Sequence, residues 1–334
     1  MVNRILRASV PTLAVLSLIC LMTVPMGAIT LRFGHSTAAT DKSQNHIFAV
    51  KFAELAEEYS NGEIEIKIFP SNQLGSEQDR VQKIRLQSKV MTSVAISNLA
   101  PFAESAGVYS LPYLFSSTED VFKLLNGPFA ETIQERVSKE AGLRILGYLV
   151  TDFRVLTNSK KPICKISDLQ GLKIRVTKNP LRLGTFKAWG ATPIPMAWSE
   201  VFTALQQGVI DGQENPIITN YANNFQEVQK YITLIHYNHW IAPVLIGEQA
   251  YGKLSPTVQL ALNRAVEDAA LHERAWAREY TAKALQALKD AGMEVCVPED
   301  EEVWRDSARS VWPQFYDLVG GKDLVDEALA SLAE

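Results

Sequence analysis

Histidine and cysteine are scarce in this chain, five and three among 334 residues, and none falls into a metal-ligand spacing. Cys20, Cys164 and Cys296 stand far apart and define no disulfide framework, so whether Cys164 and Cys296 pair stays open. His236 and His239 lie three apart in a strand-like run, where such side chains face opposite sides, and no acid or cysteine stands close by in sequence. A G-x-S-x-G elbow, a phosphate loop and an H-E-x-x-H pair are also missing. These absences weaken an enzyme reading, although dispersed catalytic groups would leave no such trace. With 33 basic against 37 acidic residues there is no positive excess, which argues against nucleic acid or an anionic membrane as partner. No metal and no cofactor are expected.

Long apolar runs are absent too, with one exception. Arg4 and Arg7 precede an apolar run from Ala8 to Val24 and then Met26-Gly27-Ala28, the layout of a cleaved secretory signal over residues 1–28. Pro11, Ser17 and Thr23 interrupt the run, which falls short of the ~20 apolar residues a membrane span needs. Leu18-Ile19 before Cys20 leaves no small residue for acylation. Cleavage would remove two arginines and no acid, taking the formal charge from −4 to −6. The rest exceeds the ~250–300 residues at which single cores stop growing, so two lobes are expected.

What is present reads as alternating strands and helices. Leu31 to His35 is a strand; Phe48, Phe52, Leu55 and Tyr59 mark one helix face that Asn61-Gly62 ends; Glu63 to Phe69 alternates as a half-solvated strand. This β-α-β order predicts parallel pairing. Ser76 and Asp79 read as a capping box after a loop at the carboxyl end of that strand, where open α/β sheets bind ligands. Gln73 and Glu77 are therefore candidate wall residues, although Glu77 equally suits a helix N-terminus. Val90 to Ile96 is the next strand, with Ser97 and Asn98 at its end, and Arg144 to Val150 another. Arg154 sits in a strand-like run just past a crossing between lobes and is a first candidate anion ligand. Arg175, in the strand Leu172 to Val176, either snorkels at an edge or points into a cleft.

The stretch Gly190 to Pro216 is the most informative. Pro193 and Pro195 hold the chain extended, Ser199 reads as the N-cap of a short helix that Gly208 ends, and Val209 to Gly212 reads as a buried strand and turn. Gln213, Glu214 and Asn215 then crowd polar groups before Pro216; taken singly, each residue reads equally as core or turn. Ser255 and Pro256 open a helical pattern that continues to Ala291, on the order of 50 Å, enough to brace both lobes. Met293 to Val297 reads as a strand, and Asp300 to Val319 and Asp323 to Leu332 as helices on the second lobe.

The string PMAWSEVFTALQQGVIDGQENP, with DLQGLKIRV from Asp168 to Val176, resembles the signature region of the TRAP-transporter solute receptors. These DctP-like periplasmic proteins deliver organic acids to a sodium-coupled permease, and the resemblance covers essentially the whole chain after residue 28. It implies that Arg175 grips a ligand carboxylate, Arg154 adds a second contact, Asn215 bonds the same carboxylate and Trp198 covers it. A guanidinium suits that task because its rigid fork meets a carboxylate bidentately and stays charged. The resemblance also implies contacts near Ser97 and Asn98, and variable ones at His239 and Trp240. His35, Glu77 and Asn98 mark the first-lobe wall, and with Ser36 and Gln73 could supply hydroxyl partners, which favours a polyhydroxylated acid.

The expectation is an α/β, two-lobed periplasmic-binding-protein fold with a hinge and a long helix, about 256–291, spanning both lobes. Residues 29–151 with 240–280 would form lobe I, and 152–239 with 281–334 lobe II. The expected function is a monomeric extracytoplasmic receptor that binds a small organic anion, a sugar acid or other hydroxy acid, and delivers it to membrane-embedded permease subunits. A ligand-sensing partner of a signalling receptor and a secreted hydrolase or lyase are the alternatives, separated by permease association and by turnover of a bound acid.

Overall fold

The computed structural model describes residues 28–86 and 89–333, so the signal segment through Gly27 lies outside the described residues. Strand β1 (Ile29–Gly34), helix α1 (Gln44–Tyr59) and strand β2 (Ile64–Phe69) form the expected parallel unit, with Leu31 opposite Ile66 and Phe33 opposite Ile68. Next come α2 (Glu77–Leu86), β3 (Val90–Ser93), α3 (Ile96–Leu99), α4 (Thr118–Asn126), α5 (Pro128–Ala141) and β4 (Leu143–Phe153). The strand expected to reach Ile96 thus stops at Ser93, and Ser97 and Asn98 sit on a single helical turn. Arg154 alone separates β4 from β5 (Val155–Asn158), which is followed by β6 (Lys173–Val176), α6 (Pro180–Ala188), β7 (Thr192–Pro195), α7 (Val201–Gln206), β8 (Gly212–Asn215), α8 (Ile217–Ala222) and β9 (Tyr231–Thr233). Residues 234–238 lead to β10 (His239–Gly247), α9 (Glu248–Gly252), α10 (Pro256–Asp290), β11 (Glu294–Cys296), α11 (Glu301–Ser310) and α12 (Lys322–Ala333).

Among the described residues the strands make two sheets, β2-β1-β3-β10-β4 and β11-β9-β5-β8-β6-β7. Three segments pass between the sheets: Arg154, residues 234–238, and the stretch from β10 through α10 to β11. The first two meet where the Arg154 N–H donates to the Asn238 carbonyl at 2.9 Å. The sheet order follows from chemistry. Every residue of β10 is buried, as its near-continuous apolar run requires of a central strand, while β7, with two prolines that cannot donate to a ladder, lies at an edge. Each lobe then buries apolar clusters between its sheet and its helices.

Three further local expectations fail for physical reasons. The strand before Pro216 is Gly212–Asn215, four buried residues with three polar side chains, instead of the apolar Val209–Gly212; those side chains bond one another, so apolarity did not mark the strand. Ser199 caps nothing: it lies inside a short 3-10 turn, Trp198–Glu200, whose start is held by the Glu200 carboxylate accepting from the Ala197 N–H at 3.1 Å. α12 buries Leu324, Val325 and Ala328 against α4 and α5 of the first lobe rather than on the second. Cys164 and Cys296, left open by the sequence, are disulfide-bonded with their Cα atoms 5.7 Å apart, tying the loop after β5 to edge strand β11.

α10 runs from Pro256, with the Ser255 side chain accepting from the Val258 N–H, to Asp290, within a residue of the expected end. Its first half buries Val258, Leu262, Val266 and Ala269 on the first lobe, its second half Ala277, Ala284 and Leu288 on the second. Glu273 falls between the two halves, fully buried, with neither carboxyl oxygen hydrogen-bonded. Burial pushes its carboxyl up to about 8, against the opposing pull of Arg274. A carboxyl raised in this way favours the folded state below its unfolded value near ~4.3, and stability is lost as pH rises through the folded value. Glu273→Gln should therefore stabilise the protein increasingly between pH 5 and pH 8, by on the order of 2–4 kcal/mol at the upper end. Urea unfolding at both pH values checks this; an equal effect at the two would refute it.

Candidate functional site

The facing edges of the two lobes line a cavity into which β6, β8 and the turn at Trp198 project from the second lobe. Arg175 stands opposite Ile194 of β7 and Gln213 of β8, so its strand is internal and its side chain cannot escape over an edge. Arg175 is 2% exposed. Its Nε and Nη2 both donate to the Met196 carbonyl, at 3.1 and 2.8 Å, and its Cζ lies 5.9 Å from the Trp198 ring centroid. Among the described residues it has no carboxylate ion pair. Burial lowers it to about 10 despite the fields of Glu214 and Glu77, so it stays a cation at neutral pH. Thr177, two residues on in sequence, also lines the cavity, as the pleat dictates.

Arg154 lines the same cavity but is already engaged. Its Nε and Nη2 both bond the Glu214 carboxylate, and Nη2 also donates to the Glu214 carbonyl and to Asn215 Oδ1, each at 2.9 Å. Glu214 is shared: Arg182 Nη1 reaches it at 3.1 Å and the Tyr237 hydroxyl donates to it at 2.5 Å. Burial alone would raise this carboxyl, but the two guanidiniums hold it below its ordinary value. Asn215 spends Oδ1 on Arg154 and one Nδ2 hydrogen on Gln213, leaving one N–H for the cavity that it lines. Two arginines against one acid leave this network one positive charge in excess, and Arg175 adds another.

The first-lobe wall is polar and rigid. Glu77, the first residue of α2, accepts from Ser36 Oγ at 3.1 Å and from Asn98 Nδ2, and all three residues line the cavity. Behind it, the fully buried Arg80 donates to Thr92 Oγ1, Asn72 Oδ1, the Gly75 carbonyl and Ser36 Oγ at 2.7–2.8 Å, which fixes the loops after β1 and β2. The Ser76–Asp79 capping box is present as expected. Trp240 lines the cavity, whereas its neighbour His239 faces the other way onto Phe153, 3.9 Å between centroids, because successive strand residues alternate.

Eight of the residues singled out in the sequence thus converge: Arg154, Arg175, Trp198 and Asn215 from the second lobe, with Ser36, Glu77, Asn98 and Trp240. Four lie off the cavity wall. His35 is buried behind it, bonded to Thr37 and His46, and burial with the fields of His46 and Arg80 lowers it to about 3. Gln73 is exposed in its turn. Ser97 joins the lobes, through Thr177 Oγ1 at 3.3 Å and Asn179 Nδ2 at 3.0 Å to its carbonyl. His239 lies beneath the wall, held neutral by burial at about 4. Sequence reasoning missed Thr37, Gln44, Asn45, Thr177 and Thr219 as lining residues. Gln44 and Asn45, at the start of α1, stand beyond the carboxyl end of β1, the position that had already marked Glu77 after β2.

Comparison with known proteins gives one consistent result. The family model for bacterial extracellular solute-binding proteins, family 7, named DctP, matches residues 33–318. The chain is 33% identical to the 2,3-diketo-L-gulonate-binding periplasmic protein YiaO of Escherichia coli, over 90% of this chain and 91% of that protein. A TRAP periplasmic solute-binding protein of Rhodobacter sphaeroides, solved in an apo, open, partially disordered form, is 43% identical, covering 91% and 98% of the two chains, with a TM-score of 0.77. The sugar acid binding protein DctPAm of Advenella mimigardefordensis, solved with galactonate, is 29% identical, covering 92% and 98%, yet superposes with a TM-score of 0.86.

The charge network yields a test of its own. Glu214→Gln would leave two buried guanidiniums without a counterion, a change that typically costs about 3–5 kcal/mol. Chemical unfolding at pH 7 should register a loss of that order. The depressed carboxyl adds a pH signature: its contribution is present above its unfolded value and is lost as pH falls through its folded one, so the deficit of the variant should shrink in acid. Wild-type stability in Glu214→Gln would mean that the pair does not carry the wall.

Proposed function

Because the chain belongs to the bacterial extracellular solute-binding protein family 7, the DctP family, we propose that it is the periplasmic receptor of a TRAP transporter, binding a sugar acid between its lobes and delivering it to the membrane permease. The observation that carries this reading is Arg175: a buried cation without a carboxylate ion pair, aimed at a cavity between two lobes. A ligand carboxylate would supply the missing charge, with the spare Asn215 N–H beside it and the Trp198 ring alongside.

Hydroxyl and amide groups supply the rest of the wall. Ser36, Thr37, Gln44, Asn45, Thr177 and Thr219 offer donors and acceptors in the pattern a polyhydroxylated chain needs, and Trp240 offers an apolar face for its C–H groups. The ligands named for YiaO and for the Advenella protein, a diketogulonate and a galactonate, are of this chemistry. Members of the family are substrate-binding receptors, not enzymes, and in our reading this chain turns nothing over. The disulfide suits an oxidising compartment, in keeping with residues 1–28 acting as a cleaved signal.

The conformation also supports a receptor that closes. The chain superposes better on the galactonate-bound relative than on the apo, open one, although the latter is the closer in sequence. Titration calorimetry with galactonate, glucuronate and 2,3-diketogulonate should find a ligand among them. Arg175→Ala should weaken it by about 100-fold or more, the usual consequence of stranding a buried charge. Unchanged affinity in that variant would remove the assignment of Arg175, and no binding by any sugar acid would remove the substrate class.

A further inference from the structure

The cavity does not end at its first-lobe wall. Glu77, Asn98 and Trp198 line both it and a second chamber, so these three residues form a neck between the two. Beyond the neck every side chain is polar except Ala197 and the shared Trp198, and the one cation there is Lys178. Lys178 lies exposed in the loop after β6, two residues past its end and three after Arg175, and has no acidic partner among the described residues. Asn72 is held in place by Arg80 through its Oδ1, which leaves its amide N–H groups to the chamber.

The charges along this path alternate: Arg175 inside, Glu77 at the neck, Lys178 outside. Glu77 accepts from Ser36 and Asn98, and a carboxylate has about four acceptor positions, so it can take hydroxyl donors from a ligand passing the neck. An anionic group stopped at the neck would instead meet Glu77 as a like charge. A short diacid anchored at Arg175 would put its second carboxylate there, whereas a longer one would carry it past Glu77 to Lys178.

Resting on the cleft reading above, we propose that the outer chamber is a second subsite, with Lys178 its specificity-determining residue. The cleft then selects an extended hydroxy diacid of about six carbons over the matching monoacid and over four-carbon diacids. Calorimetry on the full, disulfide-bonded protein tests this with galactarate, galactonate and succinate. Wild type should prefer galactarate to galactonate by about fivefold, the scale of one solvent-exposed ion pair, and should bind succinate weakest. Lys178→Met, an exposed change, should abolish the preference by weakening galactarate about fivefold more than galactonate. Equal or tighter binding of galactonate by wild type, or equal weakening of both six-carbon acids by Lys178→Met, overturns the second subsite while leaving the receptor reading intact. Failure of all three acids to bind overturns the second subsite, and the receptor reading falls with it when glucuronate and 2,3-diketogulonate fail as well.

Discussion

Glu214, clasped between Arg154 and Arg182, is the interaction on which the rest of this molecule depends. Arg154 is the single residue between the long strand of one lobe and the first strand of the other, so its backbone belongs to the hinge while its side chain belongs to the cavity. Arg182 comes from α6, and through Asn238 and Tyr237 it reaches the second crossover. One carboxylate therefore ties the two short crossovers to the polar strand β8. Removing these three charges from water is expensive, and only the number of hydrogen bonds they make offsets it. The hinge is rigid for the same reason that the anion wall is positive.

That arrangement separates two roles that arginines at a cleft can hold. Arg154 lines the cavity with its charge matched, and so contributes shape and a diffuse positive field. Arg175 lines it unmatched and contributes the attraction. Arg80, in the first lobe, is a third case: its donors go to loop carbonyls and hydroxyls, so it acts as a strut behind Glu77 and Ser36. Chemically identical side chains thus serve as field, anchor and strut, and only their partners tell them apart.

Partners are what the sequence conceals. The parallel β-α-β unit, the capping box at Ser76 and the long helix from Pro256 were legible because periodicity and capping act over a few residues. Arg175 was legible as a strand arginine, but edge and cleft could not be told apart without knowing that β7 and β8 flank it. The Glu214 network was not legible, since its members are spread from 154 to 237 and a run of buried polar residues looks like a loop. Likewise nothing in a twelve-residue pattern says that α12 returns to the first lobe, because its apolar stripe suits either partner.

The distribution of contacts between lobes argues for rotation about the rear of the molecule. At the back, Tyr113, whose φ is +57°, donates its N–H to the Tyr237 carbonyl and buries its ring in the second-lobe core; Trp312 and Arg309 bond the carbonyls of Pro112 and Tyr113. The stretch Leu111–Phe115 is therefore a pivot. At the cavity mouth the direct bonds are few: Thr219 to Gln44 at 3.5 Å, Thr177 to Ser97 at 3.3 Å and Asn179 to the Ser97 carbonyl at 3.0 Å. At a net ~0.5–1.5 kcal/mol each before the cost of ordering, these cannot outweigh a buried, unmatched guanidinium. An anion bridging Arg175 to the Glu77 wall changes that balance, because it makes contacts with both lobes that exist only when they are together. Closure then follows from the differential affinity of the ligand for the two arrangements, with the rear contacts fixing the axis.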